Sequence, residues 1–93
     1  MKLGTVTQQP AERLSYTIDY GDFLTDGDNV QTAVLESVDP VGLTVDTIGV
    51  FDPRVKFWVS GGTAGVKYKV TLDVDTADGR QLQDEVIFKI KEI

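Results

Sequence analysis

At 93 residues with 41% apolar side chains, the chain is long enough for one compact unit around a single core and too short for a divided, multi-domain catalyst. It holds no Cys and no His, which excludes disulfides, thiolate nucleophiles, imidazole bases and the common zinc, copper and haem ligand sets. With 15 acidic residues against 9 basic ones the formal charge is −6, a field that repels nucleic-acid phosphates and anionic headgroups. No apolar run approaches the roughly 18 residues of a membrane span or the core of a signal peptide, so the expectation is a soluble protein made in a cytoplasm, one domain over residues 1–93, bound to neither nucleic acid nor membrane.

In chain order, Thr5 to Gln8 reads as a first strand. Leu14, Tyr16, Ile18 and Tyr20 then alternate with Arg13, Ser15, Thr17 and Asp19, the period-two pattern of a strand with one buried face. The acidic stretch Gly21 to Asn29 follows, with the turn signal Asp26-Gly27. Its Asp22, Asp26 and Asp28, like Asp73, Asp75 and Asp78 further on, carry the oxygen ligands that calcium takes. Neither set has the ligand spacing or closing Glu of an EF-hand loop, and Asp-Gly pairs are ordinary turn formers, so no metal ligand is assigned. Residues 30–38 carry three Val and one Thr between Asp-Gly-Asp-Asn and Asp-Pro, which favours strand over helix. Leu43 to Val45 and Ile48 to Phe51 read as two short strands broken by Gly42 and Gly49, and Val55, Phe57 and Val59 form another.

The clearest signal comes last. Val66, Tyr68, Val70, Leu72 and Val74 alternate with Lys67, Lys69, Thr71, Asp73 and Asp75, and Leu82, Val86, Phe88 and Ile90 continue the same face beyond Ala77-Asp78-Gly79. If Gly79 takes the left-handed position of a G1 bulge, the apolar pattern matches only when Val74 faces Leu82, Val70 faces Val86 and Tyr68 faces Phe88. Asp84 opposite Leu72 is the misfit, expected at a sheet rim or a second bulge. About seven short strands with no helical period predict an all-β chain, a single antiparallel immunoglobulin-like β-sandwich. Tyr68, early in its strand, is either a tyrosine corner or a plain core residue of the apolar face. Trp58 is either a core cover or, by its parity opposite Val55, Phe57 and Val59, a surface aromatic.

No catalytic residue emerges, since Ser15, Ser37 and Ser60 have no His to activate them. Ser60-Gly61-Gly62-Thr63-Ala64-Gly65 has no helix after it and no Gly-Lys-Thr ending, so it reads as a loop between strands and not as a phosphate cradle. Neither an enzyme nor a cofactor is expected. The remaining chemistry is contact chemistry. Lys67, Lys69, Lys89 and Lys91 fall on the outward face of the last hairpin around Ile87, a pattern that serves either as solvated edge guard or as a dock for an acidic partner. Together with Trp58, Ser60, Gly61, Gly62 and Thr63 they are the candidate partner contacts.

The segment Val55 to Arg80, Val-Lys-Phe-Trp-Val-Ser-Gly-Gly-Thr-Ala-Gly-Val-Lys-Tyr-Lys-Val-Thr-Leu-Asp-Val-Asp-Thr-Ala-Asp-Gly-Arg, resembles the small fibre–tail adaptor proteins of tailed bacteriophages. In that family an aromatic-Val-Ser-Gly-Gly-Thr-x-Gly-x-x-Tyr-x-Val-Thr run leads into Thr-x-x-Gly-Arg and a closing strand. Tyr16 to Tyr20 and Val38 to Val45 are similar to it more loosely. The resemblance implies a non-catalytic virion protein of the tail or neck, bridging tail components and fibres, with no ligand residue to carry over. Such parts are expected in several copies around a symmetric ring. The alternative is a generic immunoglobulin-like module binding carbohydrate or a bacterial surface protein, whose mark would be an aromatic platform built from Trp58 with Tyr20 or Phe23.

Overall fold

The computed structural model describes residues 2–92. Seven strands follow one another: β1 Lys2–Gln8, β2 Arg13–Asp19, β3 Val30–Asp39, β4 Leu43–Phe51, β5 Arg54–Gly61, β6 Lys67–Thr76 and β7 Gln81–Ile90. The only helical element among the described residues is a single 3-10 turn, Gly21–Phe23. One sheet has the order β1-β7-β6-β3 and the other β2-β5-β4. Neighbouring strands are antiparallel except β1, which runs parallel to β7. The orders β7-β6-β3 and β2-β5-β4 are compatible with the two sheets of an immunoglobulin-like sandwich.

The last hairpin takes the register that its apolar pattern demands. Lys67 pairs with Lys89, Tyr68 with Phe88, Val70 with Val86, Leu72 with Asp84 and Val74 with Leu82, without a break. At its tip Thr76 N–H donates to Arg80 O at 2.9 Å, and Gly79 N–H donates to Thr76 O at 3.1 Å with Gly79 at φ +91°. That backbone conformation favours Gly because a Cβ is strained there.

Alternation then puts Tyr68, Val70, Leu72, Val74, Val86, Phe88 and Ile90 inward, against Val55, Phe57 and Val59 of β5 and Leu43 of β4, all of them buried. Phe88 is the hub, with Tyr16 edge-on at 5.2 Å and Phe57 at 6.5 Å between ring centroids. The Tyr68 hydroxyl accepts the Thr63 N–H at 2.9 Å, reaching back five residues as a tyrosine corner does. Gly62 also stands at φ +91°, but there a Cβ would lie 2.9 Å from Ile90 Cγ1 and 3.1 Å from Leu43 Cδ1.

Three expectations change. Leu43 to Phe51 is one strand and not two: the ladder with β5 slips between Asp46 and Gly49, and Thr47 takes φ +50°, so a bulge absorbs what Gly49 was read as breaking. Trp58 does not cover the core; it keeps the outward parity of β5. Asp84 sits in an unbroken β6–β7 ladder, so of its two alternatives a bulge between these strands falls away and the sheet rim remains. It lies just before the point where β1 begins to pair with β7, at Glu85, and points inward at 3% exposure beside Tyr20. Burial first, and then the Asp84 carboxylate beside it, raise the Tyr20 hydroxyl well above the ordinary tyrosine pKa.

Candidate docking surfaces

The strand directions sort the connections between two ends of a molecule measuring 44 × 19 × 18 Å. One end holds the β1–β2 turn, the β3–β4 and β5–β6 loops and the exit of β7. The other holds the long β2–β3 loop and the β4–β5 and β6–β7 turns.

At the first end, Lys67 and Lys69 of β6 and Lys89 of β7 share the outer face of their sheet, as their alternation requires. With Thr5, Asp39 and Ile87 they line an open hollow of about 360 Å³. Lys69 reaches Glu85 at 3.8 Å. Lys67 and Lys89 stand directly opposite each other, and among the described residues neither has an ion-pair partner. Like charges in that position repel mildly, and the half-buried Ile87 between the strands gives the hollow an apolar floor. Lys91 follows the last strand, its N–H donating to Gln8 O at 3.0 Å.

The other sequence candidates do not join this face. Ser60 and Gly61 end β5, paired with Arg13 and Leu43, and Gly62 packs beneath Ile90, so Thr63 alone of the four is exposed in the loop. Trp58 lies on the outer face of the opposite sheet. The Arg13 guanidinium covers its ring at 4.4 Å and the Lys56 ammonium stands 5.3 Å from it, while Arg13 is itself held by Asp46 at 2.9 Å. Tyr20 is fully buried, and Phe23 lies in the β2–β3 loop at the far end. The aromatics that a carbohydrate platform would need are therefore on different surfaces.

The second end is acidic and stitched together. Asp52 Oδ1 accepts the Val30 N–H at 2.7 Å, and Tyr20 N–H donates to Pro53 O at 2.9 Å, which tie the β2–β3 loop to the β4–β5 turn. Ala77 N–H donates to Asn29 O, and Asp28 Oδ1 accepts the Asp78 N–H, each at 2.9 Å, which tie the same loop to the β6–β7 turn. Loss of solvent pulls the Asp28 pKa up. Hydrogen bonds from the Thr76 side chain and the Asp78 and Asn29 N–H groups, with Arg80 nearby, outweigh it and hold the carboxyl below its ordinary value. Asp28 is thus a loop fastener. Among the described residues no three acidic side chains gather as a cation site.

This end also exposes two large apolar side chains, Phe23 at 41% and Phe51 at 64%. The sequence placed Phe51 in a strand and gave no sign that it would stand in the open. Its ring folds over Gly49, where a Cβ would meet Phe51 Cε2 at 2.9 Å, and leaves its other side to solvent. Only the turn chemistry of Asp52-Pro53 hints that a strand ends there.

No described helix is long and apolar enough to cross a membrane. No curated protein matches the chain. Residues 8–89 match the family model described as podophage GP4 fiber-tail adaptor protein gp77, a span from the last residue of β1 nearly to the end of β7 that holds β2 to β6 entire. A small all-β body with a lysine-lined hollow toward one end and an acidic surface with exposed Phe23 and Phe51 at the other suits that match. The chain belongs to this family of bacteriophage fibre–tail adaptors, structural proteins of the virion tail.

Proposed function

We propose that the chain is a non-catalytic bridge, made in the host cytoplasm and built into the tail or neck of the virion, where it joins tail components to fibres by protein–protein contacts. Several copies would share the rotational symmetry of the tail. The observation that carries this reading is the separation of two docking chemistries along a 44 Å body: a lysine-lined hollow near one end, and an acidic surface with exposed Phe23 and Phe51 at the other. A part that grips two different proteins needs two unlike surfaces, and complementary charge on each sets partner choice and encounter rate. Both surfaces rest on strands or on loops fastened to strands, so each is held ready for contact.

Mass spectrometry of purified particles tests it. The chain should be present in virions in multiple copies, and particles assembled without it should keep their tails and lose their fibres. Absence of the chain from virions, or turnover of a substrate by the pure domain, rejects the reading.

A further inference from the structure

Two features of the surface have no ion-pair partner among the described residues. Lys67 and Lys89 face each other across β6 and β7 with no ion pair to a described residue, at the rim of a hollow floored by Ile87 and lined also by Lys69 and Asp39. At the far end Phe23 and Phe51 are exposed, as are Asp22 and Asp26 of the loop that carries Phe23, and neither Asp forms an ion pair with a described residue. Each feature offers what the other wants. The lining of the hollow carries three lysines against the one carboxylate of Asp39, a net positive charge around an apolar floor. The end presents apolar rings on a net acidic surface, in loops tied down by the Asp52, Asp28 and Asn29 contacts. Arg80, which donates to Phe23 O at 3.4 Å, and Arg54, which pairs with Phe51, are outnumbered there by Asp22, Asp26, Asp28, Asp52 and Asp78.

We infer that the occupant of the lysine-lined hollow is the acidic, phenylalanine-bearing end of a second copy of this chain. The two surfaces lie toward opposite ends of the same body, so the contact is head-to-tail: each copy offers its acidic end to one neighbour and its hollow to another. Such a heterologous contact builds a ring when its rotation closes and an open chain when it does not. The net charge of −6 opposes association, and the local lysine–aspartate attraction must overcome it, so the contact is weak in dilute solution and strengthens where copies are crowded. The inference deepens the multi-copy part of the proposed function and does not depend on the fibre contacts. Its failure would leave the presence of the chain in virions untouched.

The test is sedimentation velocity on the full chain over roughly micromolar to millimolar concentrations, at low salt and at about 0.5 M salt, where the Debye length shrinks to a few ångströms. The wild type should form concentration-dependent oligomers at low salt that dissociate at high salt. The double variant Lys67→Glu/Lys89→Glu, and separately Asp22→Lys/Asp26→Lys, should each keep the wild-type melting temperature within a few degrees and associate at least about tenfold more weakly. Mixed one to one, the two variants should associate again, because the intact acidic end of the first meets the intact hollow of the second. A wild type that stays monomeric throughout, self-association that survives both reversals, or a mixture that fails to recover would each overturn the inference. A non-folding variant would be replaced by the single reversals Lys67→Glu and Asp22→Lys, read in the same way.

Discussion

Phe88→Ala is the perturbation that most directly measures how the sandwich is held together. Phe88 is 0% exposed, pairs with Tyr68 across the β6–β7 ladder, and meets the Tyr16 and Phe57 rings of the other sheet edge-on. Truncation of a buried Phe costs about 3–5 kcal/mol from lost transfer and the cavity left behind. The two ring contacts raise the value toward the upper end, since such pairs add about 0.5–1.5 kcal/mol beyond area burial. At about 0.05–0.15 kcal/mol per residue a chain of this length has roughly 5–14 kcal/mol in all, so the change removes a third of it or more. One kcal/mol moves the melting temperature of a domain this size by about 4–8 °C, and the variant should therefore melt at least about 12 °C below the parent by calorimetry or circular dichroism. Phe88→Leu, which keeps most of the volume, should lose much less. A Phe88→Ala protein that melts within a few degrees of wild type would show that the two sheets do not pack through this ring, and the core assignment would fall.

Gly62 and Gly79 share φ +91°, yet a Cβ at Gly79 meets nothing within 4 Å whereas one at Gly62 strikes Ile90 and Leu43. Gly79→Ala should cost about 1 kcal/mol from backbone strain alone, and Gly62→Ala about 1–3 kcal/mol more from overpacking, read as denaturant midpoints; equal losses would refute the packing. Tyr68→Phe removes the acceptor of the Thr63 N–H and should destabilise by about 1 kcal/mol, with an unchanged denaturant slope. Asp28 has its folded pKa depressed below the unfolded value of about 3.9, so its contribution is present above that pH and fades as pH falls through the folded value. The gap in melting temperature between wild type and Asp28→Asn should accordingly be widest near neutrality and close below about pH 4; a gap constant down to about pH 2 would contradict the fastening role.

The register of the last hairpin was legible residue by residue, because period-two alternation on both sides of Ala77-Asp78-Gly79 admits one pairing that keeps the apolar sets on a single face. The same local logic put Tyr68 on the inner face, as a corner or plain core, and gave Trp58 its outward parity, and the run from Val55 to Arg80 resembled the family that residues 8–89 match. Local pattern determines which way a side chain points from its own strand, and little more. The parallel β1–β7 pairing, the bulge at Thr47 that joins two apparent strands into β4, and the inward burial of Asp84 beside Tyr20 depend on which segment lies alongside, and that is settled by contacts between residues far apart in the chain. For the same reason the candidate contacts divided: Lys67, Lys69, Ile87 and Lys89 came together because neighbouring strands carry them, while Trp58 went to the opposite sheet and Gly62 into the core. The acidic stretch Gly21 to Asn29 and the Asp78 turn were legible one by one, but their meeting with the open Phe51 in a single end was not, since three separate turns make it, and only closure of the sandwich brings them to one surface.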